Sequence, residues 1–567
     1  MIYKKRGFAF TLIMLLIVSM LAACGSGGSG GNSPGNAGSS NGGSTTNGTD
    51  ENPYKDKYDP PVTISTVWGV DPAITFRSGE TIENNVATRW AKERLGIEIK
   101  SLWSVTDTNN AYVTKLRLAM TSGQEMPDIV TVNDALLIQD LIDSGLFQDA
   151  GALFDKYASD TWKEAMALDP NVWNAYTKDG VRMGIPVLGY AYNNDYLLWI
   201  RQDWLDALNL EGPKTIAELE HVMDQFRNNN PQGLSPNEVT PLSIGFKSSM
   251  KTWMGDPSWI FGAYGTIPNQ WNQAEDGSLV YGSIHEGMKP GLQKLKEWRD
   301  KGYIPKEAAL WDANKTAEPA SAGTAGIIPG PYWMSGWPLD GTDQNAEGAV
   351  WKPHLIPTGE DGTAMRHGTP FSSGVTLINK NMKHPEAFFT YQNYLFEHLA
   401  DPQEGSEFEH GVFEGYDFAF DENGNPVYLD DVPGKAVNGV LRYFLVRDGA
   451  RIPDAQFKAL LALAEGKEPT TYREREVVNT YGPETALAAT VVMQQADISK
   501  MNMFVGPPTD TMKSRMDYLN KIEAQTFNEI IYGEKPIEAF DEFVATWKSS
   551  GGDAITKEVN EWYQSVK

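Results

Sequence analysis

Hydrophobic and polar positions along the first part of the chain alternate between a period typical of strands and a period typical of helices. In chain order, the predicted elements are a strand at Val62–Trp68, a helix at Ala87–Leu95, a strand at Ile97–Trp103, a helix at Tyr112–Thr121 and a strand at Pro127–Val132. Gly96 directly follows the first helix, in the place where a left-handed residue commonly ends one. Strands that alternate with helices predict an α/β fold with mainly parallel sheets.

Ligands of such sheets lie beyond the carboxyl ends of the strands. This rule makes Trp68, which ends the first predicted strand, a candidate ligand contact. It also points to Asp134, which follows the third predicted strand and could accept hydrogen bonds from a ligand. The alternative for Asp134 is the N-cap of the next helix, a position that favours aspartate.

The stretch from Gly184 to Trp204 is mostly apolar and aromatic, and it predicts one extended strand that leads straight into a helix. One α/β unit precedes this stretch and a second begins after it, so we expect a strand that two lobes share as a hinge. Asn193 and Asp195 on this hinge are candidate partners for ligand hydroxyl groups. Arg201 is a further candidate, with pairing to the neighbouring Asp203 as the alternative.

The N-terminus predicts export. Lys4, Lys5 and Arg6 precede the apolar run Phe8–Met20, which is too short for a stable membrane span and typical of a secretory signal. The following Leu-Ala-Ala-Cys, ending at Cys24, resembles the lipobox of bacterial lipoproteins, which implies cleavage before Cys24 and lipidation of its thiol. Cys24 is the only cysteine, so the exported chain cannot form an internal disulfide.

The next 28 residues, 25–52, contain no aliphatic side chain larger than alanine. Such a composition cannot form a core and predicts a disordered tether. A glycine- and serine-rich coil of this length has a root-mean-square reach of about 30 Å. We therefore expect a folded body held at the extracellular face of the cell membrane through Cys24.

The formal net charge is −26, and so acidic a body would repel nucleic acid. Charge therefore favours a neutral or weakly charged ligand, although a local basic pocket is compatible with it. The chain also contains 17 tryptophans. Sugars need flat aromatic rings for their C–H faces and polar groups for their hydroxyls. We favour Trp68 and Trp271, which lies in an irregular loop, as sugar-stacking residues.

Several motifs together resemble the bacterial extracellular solute-binding proteins of the maltose-binding type, the receptors of ATP-driven importers. They are SGQEMPDIVTV, GPKTIAELEHVMDQFRNNNP, SAGTAGIIPGPYWMSGW and the closing IIYGEKPIEAFDEFVATW. The last of these resembles the long subgroup that includes alginate-oligosaccharide receptors and lipoprotein receptors of firmicutes. The resemblance implies a two-lobed periplasmic-binding-protein-like fold joined by hinge strands, and it adds Tyr332 and Trp333, on the family's aromatic turn, to the candidate ligand contacts.

The resemblance also implies a division of the chain. We expect a signal peptide at 1–23, lipidated Cys24 and the tether at 24–58, the first lobe at 59–186 and again at 354–400, the second lobe at 187–353, and 401–567 mainly in the second lobe and C-terminal helices. The implied function is capture of an oligosaccharide by closure of the cleft, followed by delivery to the membrane subunits of an ABC permease. We expect a monomer that needs no cofactor.

Members of this subgroup often carry an EF-hand-like calcium loop after the first helix of the second lobe. Here that segment, 230–238, has lost most of its acidic side chains, so a structural turn is favoured over a calcium site. A second acidic segment, 421–426, is better explained as an Asn-Gly hairpin turn between Phe418 and Val427. The sequence therefore predicts no metal site.

The chain lacks the serine-nucleophile, zinc-protease, P-loop and dinucleotide motifs, so we expect a binding protein and no catalytic residues. Two alternatives remain open. A pair of carboxylates could make the chain a lipid-anchored glycoside hydrolase. The same fold could also serve as a carbohydrate sensor or adhesin at the cell surface.

Overall fold

The structure is a computed structural model that describes residues 56–247 and 249–567. The predicted signal peptide, Cys24 and all but the last three residues of the predicted tether lie outside the described residues. The strands are β1 (Val62–Val70), β2 (Ile97–Thr106), β3 (Ile129–Val132), β4 (Thr177–Lys178), β5 (Val181–Arg182), β6 (Gly184–Leu188), β7 (Leu197–Arg201), β8 (Thr240–Leu242), β9 (Trp271–Gln273), β10 (Leu279–Tyr281), β11 (Ala325–Gly330), β12 (Trp351–His354), β13 (Arg366–His367), β14 (Ser372–Ile378), β15 (Phe418–Phe420), β16 (Pro426–Tyr428) and β17 (Ser499–Lys500).

The helices connect and cover these strands. They are α1 (Val86–Trp90), α2 (Ala111–Thr121), α3 (Ala135–Asp143), α4 (Ala150–Tyr157), α5 (Asp160–Ala167), α6 (Gln202–Ala207), α7 (Ile216–Asn228), α8 (Ser258–Gly262), α9 (Met288–Asp300), α10 (Ala313–Ser321), α11 (Thr342–Asn345), α12 (Pro385–His398), α13 (Ala455–Ala464), α14 (Tyr472–Gln494), α15 (Asp510–Ile531), α16 (Ala539–Trp547) and α17 (Asp553–Val566). Within the described ranges, none of these helices combines the length and the apolar character that crossing a membrane requires.

The first lobe is built on β1, β2, β3, β6 and β14. β1 runs parallel to β2, and β14 lies antiparallel between β3 and β6. Asp128 joins β1 to β3, because its Oδ2 accepts hydrogen bonds from the backbone N–H and the Oγ of Ser65 at 2.8 and 2.7 Å. The five predicted elements of this lobe are all present. The helix predicted at Ala87–Leu95 consists of α1 and a π-helical turn at Ala91–Leu95, after which Gly96 has the expected left-handed φ of 67°. Because β14 is antiparallel to both of its neighbours, β3 and β6 are parallel, and their carboxyl ends lie at one edge of their sheet.

The second lobe contains a sheet with the strand order β12-β7-β11-β8. β11 is parallel to β8 and antiparallel to β7, and the last residue of β11, Gly330, pairs with the first residue of β7, Leu197. The carboxyl ends of β8 and β11 thus lie beside the start of β7. Both sheets therefore direct the ends of their parallel strands toward the segment that joins β6 to β7.

That segment corrects the prediction of one shared strand. β6 belongs to the first sheet and β7 to the second, and residues 189–196 between them form a turn in which Tyr192 has a φ of 59°. The alternating aromatics of 184–192 suggested a continuous strand, but the following Asn-Asn-Asp is typical of a turn. The lobes are joined by a linking segment, residues 189–196, and β6 places Val187 and Leu188 in the first lobe.

Aromatic side chains from distant parts of the sequence fill the core of the first lobe. The ring of Trp90 lies within 6.5 Å of five others, those of Tyr391, Tyr394, Phe408, Phe413 and Phe444. Residues from Phe408 to Ala450 belong to this core, although the sequence placed 401–567 mainly in the second lobe. The other predicted boundaries stay predictions. The predicted hairpin between Phe418 and Val427 is present as β15 and β16.

One acidic side chain lies inside the core of the second lobe. Glu523 on α15 is only 3% exposed, and burial raises the pKa of its carboxyl from an ordinary 4.5 to about 7. Between these two values the folded protein holds a proton that the unfolded chain releases. Stability therefore falls as the pH rises from about 4.5 to about 7, by on the order of 3 kcal/mol.

We expect the Glu523→Gln variant to lose this pH dependence and to be more stable than the natural protein at pH 8. Urea unfolding of both proteins at pH 5 and pH 8 measures the difference. Asp517→Asn, at an exposed position of the same helix, is the control and should keep the natural pH dependence. An equal change with pH in the natural protein and in Glu523→Gln would contradict the assignment.

Candidate ligand-binding cleft

The linking segment is held by backbone contacts to two other chain segments. Gly189 N–H donates to Phe371 O at 2.9 Å, just before β14, and Ala191 N–H donates to Pro453 O at 2.8 Å, just before α13. The ring of Tyr192 lies 4.5 Å from that of Phe457 and 6.2 Å from that of Phe371. The linking segment therefore packs against the segments before β14 and before α13. We call this region, between the two sheets, the floor of the candidate cleft.

Three tryptophans of the second lobe stack in a row at this floor. The ring of Trp253 lies 5.9 Å from that of Trp333 and 6.2 Å from that of Trp337, with an interplanar angle of 24° in both pairs. Trp253 and Trp333 are half-buried, and Trp337 is 47% exposed. We call these three residues the tryptophan ladder.

The ladder is fixed to the linking segment by a polar contact. Trp333 Nε1–H donates a hydrogen bond to Asn193 Oδ1 at 2.9 Å. Two predicted ligand contacts, Asn193 before β7 and Trp333 after β11, are thus in direct contact. Because Asn193 lies between β6 and β7, the position of Trp333 depends on the path of the chain between the lobes.

Local structure explains why Trp333 faces outward while its neighbour does not. A single 3₁₀ turn follows β11 over Tyr332–Ser335. Tyr332 is fully buried, where its ring packs edge-on at 5.2 Å from Phe457 and its hydroxyl accepts a 3.3 Å hydrogen bond from Gln456 Nε2. Tyr332 therefore anchors the turn, and Trp333 is the residue that the turn presents.

The stacking geometry leaves part of each indole face uncovered. Ring planes in contact are separated by roughly 3.5 Å, so centroids about 6 Å apart are offset sideways by roughly 5 Å. An offset row of nearly parallel indoles offers consecutive apolar patches to a ligand with several flat, apolar faces. An oligosaccharide has this form, because each pyranose ring presents C–H groups on a face and hydroxyls at its edge.

The first lobe contributes two predicted residues at its strand ends. Trp68, near the end of β1, is 8% exposed, and among the described residues no group accepts a hydrogen bond from its buried Nε1–H. Asp134 caps α3, since its side chain accepts a 2.7 Å hydrogen bond from Leu137 N–H. It also lies 3.7 Å from Arg117. The N-cap alternative for Asp134 is confirmed, and contact with a ligand stays a prediction.

Arg201 pairs with Asp203, which was the alternative to ligand contact in the sequence analysis. It is completely buried, and its guanidinium donates two hydrogen bonds to Asp203 at 2.8 and 2.6 Å and a third to Gly323 O at 3.1 Å. The same guanidinium lies 4.6 Å from the ring centre of Trp204. These contacts hold β7 against the helical layer, so Arg201 is placed in the core and away from the ladder.

Asp195 and Trp271 are also buried. Asp195 is 2% exposed and accepts hydrogen bonds from Thr369 N–H at 3.2 Å and Ser499 Oγ–H at 2.5 Å. Its carboxylate lies 3.6 Å from Arg366, so it ties the linking segment to neighbouring chain segments. Trp271 begins β9, where the sequence predicted a loop, and it is 4% exposed in the core of the second lobe. The structure does not bring Trp271 into the tryptophan ladder.

Several polar and charged side chains pack behind the linking segment. Besides its contact with Asp195, Arg366 donates hydrogen bonds to the carbonyls of Tyr196 and Val492 at 2.7 and 2.9 Å. Asp256 lies 3.5 Å from His367. Nearby, burial lowers the pKa of Lys251.

The segment 230–238 has the contacts of a turn. Asn230 Oδ1 accepts a 3.0 Å hydrogen bond from Gln232 N–H, and Glu238 Oε2 accepts bonds from the N–H and Oγ–H of Ser235 at 2.8 and 2.7 Å. In the part of the chain that the structure describes, no group of three His, Cys, Asp or Glu side chains is arranged to hold a metal ion. The expectation of no cofactor stays a prediction.

Comparison with known proteins decides the family. The sequence profile described as bacterial extracellular solute-binding protein matches residues 73–398. The chain belongs to this family. Lipoprotein LipO of Bacillus subtilis strain 168 is 22% identical over 491 residues, covering 83% of this chain and 87% of LipO. The polygalacturonan/rhamnogalacturonan-binding protein YtcQ of the same strain is 24% identical over 474 residues, covering 80% of this chain and 83% of YtcQ.

Solved structures agree on the fold. The alginate-binding protein AlgQ2, in its crystal structure without calcium ion, has a TM-score of 0.61 to this chain at 18% identity. The match covers 89% of this chain and 99% of AlgQ2. The predicted α/β, two-lobed, periplasmic-binding-protein-like fold is confirmed, and so is the predicted membership of the solute-binding family.

Trp253 and Trp337 complete the tryptophan ladder, and the sequence analysis did not select them. Both belong to visible tryptophan clusters, but spacing alone cannot distinguish a core indole from one that faces a cleft. The Trp-Met-Gly and Gly-Trp-Pro contexts carried a usable signal, because glycine and proline are typical of loops, and loops of α/β proteins line binding sites. Contact of any predicted residue with a ligand stays a prediction.

Proposed function

We propose that this solute-binding protein captures an oligosaccharide on the tryptophan ladder and delivers it to an ABC permease. The observation that carries the proposal is the offset row of Trp333, Trp253 and Trp337, fixed to the linking segment through Asn193. An aromatic row coupled to the connection between two lobes links ligand stacking to lobe closure. A ligand shifts such an equilibrium only through tighter binding to the closed state.

The names of the relatives support a saccharide ligand. YtcQ is named for binding polygalacturonan and rhamnogalacturonan, and AlgQ2 is named for binding alginate. At 24% and 18% identity these names do not transfer a particular sugar to this chain. The net charge of −26 favours a neutral or weakly charged oligosaccharide.

The location follows from the N-terminus. We propose that the mature protein begins at a lipidated Cys24 and stays at the extracellular face of the membrane, as the lipobox-like sequence and the name of LipO support. Two or more acyl chains would give lasting attachment, because a single chain binds a membrane only marginally. The tether would allow the lobes to reach the permease.

A soluble form that begins at Gly25 keeps every described residue and provides the test. We expect one of trigalacturonate, an alginate trisaccharide or maltotriose to change the tryptophan fluorescence, because the ladder would stack on the sugar. The same sugar should raise the melting temperature and reduce the radius of gyration in X-ray scattering, because closure buries the cleft.

Product analysis of the same mixtures separates a receptor from a glycoside hydrolase. We expect the added saccharide to be recovered intact after prolonged incubation. Release of shorter sugars, together with unchanged scattering curves, would favour the hydrolase and contradict the receptor.

A further inference from the structure

A second cavity lies inside the second lobe, separate from the tryptophan ladder. Its volume is about 310 Å³, and it lies between α15 and the loops around residues 246–250, 269–271 and 502–504. None of the three ladder tryptophans lines it. Among the described residues that do, Glu523 is the only charged side chain.

The carboxyl group of Glu523 is only half satisfied. Its Oε1 accepts hydrogen bonds from Ser283 Oγ–H at 2.9 Å and Asn269 Nδ2–H at 2.5 Å. Among the described residues, no donor reaches the buried Oε2 with hydrogen-bond geometry, although the phenol of Tyr281 is near enough to favour the ionised form. A buried carboxylate with a free oxygen is costly, and it calls for a donor or a cation from outside.

The walls of the cavity suit a cation that carries an apolar part. Met250, Met512 and Met516 supply thioethers, and Trp271 and Phe504 supply aromatic rings. Aromatic faces attract ammonium groups, and methionine adapts its shape to an irregular ligand. The volume is at the lower end of small-molecule sites and far above that of a bare metal ion.

The cavity is also reachable from solvent. Met512, Met516 and Asn520 follow one another at four-residue spacing, so they share one face of α15. The two methionines are half-buried and Asn520 is exposed. This face leads from the surface to Glu523 less than one turn further along the helix.

We propose that this cavity binds a small organic ammonium ion, whose charge pairs with the Glu523 carboxylate and whose alkyl part packs against Met512 and Met516. The charge of the ligand compensates the buried carboxylate, which has no cationic partner among the described residues that line the cavity. None of the ladder tryptophans lines this site, and the inference goes beyond the proposed function.

The test uses n-butylammonium chloride as the probe and 1-butanol as its neutral counterpart, with the soluble form that begins at Gly25 in an amine-free buffer at pH 8. Saturation-transfer NMR titrations measure both affinities. We expect n-butylammonium to bind at least about tenfold more tightly than 1-butanol, because only the cation compensates Glu523. Sodium chloride at equal concentration controls for ionic strength.

Two variants alter the proposed site, and a third is a control on the same helix. Glu523→Gln keeps an oxygen for Ser283 and Asn269 but removes the charge, and it should weaken n-butylammonium binding at least about tenfold. Met516→Trp keeps the carboxylate and fills the cavity, so it should abolish binding even if the first variant folds poorly. Asp517→Asn removes an exposed charge from the same helix and should leave the affinity within about twofold.

Equal affinity for the two probes, no binding of n-butylammonium, or retained binding in Met516→Trp would each overturn the proposal. Unchanged affinity in a folded Glu523→Gln would do the same.

Discussion

The Arg201→Met variant is expected to lose about 3 kcal/mol of unfolding free energy, the largest loss of stability that we predict. Breaking a buried ion pair leaves its partner without compensation, which typically costs 3–5 kcal/mol. We expect the lower end of this range, because the side chain of Asp203 is 25% exposed and water can partly replace the guanidinium. Loss of the hydrogen bond to Gly323 O and of the packing on Trp204 adds to the cost.

Chemical denaturation of the soluble form that begins at Gly25 measures this loss. Arg447→Met is the matched control, since Arg447 is 55% exposed and lies 3.9 Å from Asp448. An exposed pair with this separation contributes less than about 1 kcal/mol. Saccharide affinity of the folded Arg201→Met protein should stay within about twofold of the natural value. A folded variant with normal stability and poor saccharide binding would restore Arg201 as a ligand contact.

The first lobe could be predicted closely because its local patterns and its tertiary structure agree. The β-branched residues of β1 and the helical segment that ends at Gly96 each specify their element within a few residues. The family resemblance then supplied what local patterns cannot, namely that β14 and α12 return to the first lobe. The presence of residues from Phe408 to Ala450 in the first-lobe core has a physical cause: Phe408 and Phe444 pack against Trp90 across more than 300 residues of sequence.

The site could be predicted only in part. Asn193 and Trp333 were selected separately, and their hydrogen bond shows that they belong together. Arg201 and Asp195 carry polar groups suited to a sugar, but their burial and their partners depend on residues such as Gly323 and Ser499, far away in sequence. Sequence reasoning identifies the chemistry that a side chain offers, whereas tertiary packing decides whether other parts of the protein already use it.

The three indoles of the ladder differ in their contacts and in their exposure. Trp333 is oriented by Asn193, and Trp337 is the most exposed of the three. Trp253 lies between them and stacks on both. Removing an outer ring therefore shortens the row, whereas removing the central ring separates the other two. The central position should consequently have the largest effect on binding.

We therefore expect Trp253→Ala to weaken saccharide binding by more than about 2 kcal/mol, and Trp333→Ala by about 1–3 kcal/mol. The affinities are measured by calorimetry with whichever trisaccharide binds the natural protein. Trp562→Ala is the control, because this half-buried indole on α17 packs against Phe504, away from the ladder. The Trp562→Ala variant should bind the saccharide with the same affinity as the natural protein.

Two results separate the ladder from a purely structural cluster. A structural cluster would give Trp253→Ala a lower melting temperature and an unchanged affinity in the folded protein. A binding ladder gives lost affinity, together with loss of the compaction that the saccharide produces in scattering, because without Trp253 the row no longer continues from Trp333, the ring that Asn193 fixes to the segment joining the lobes.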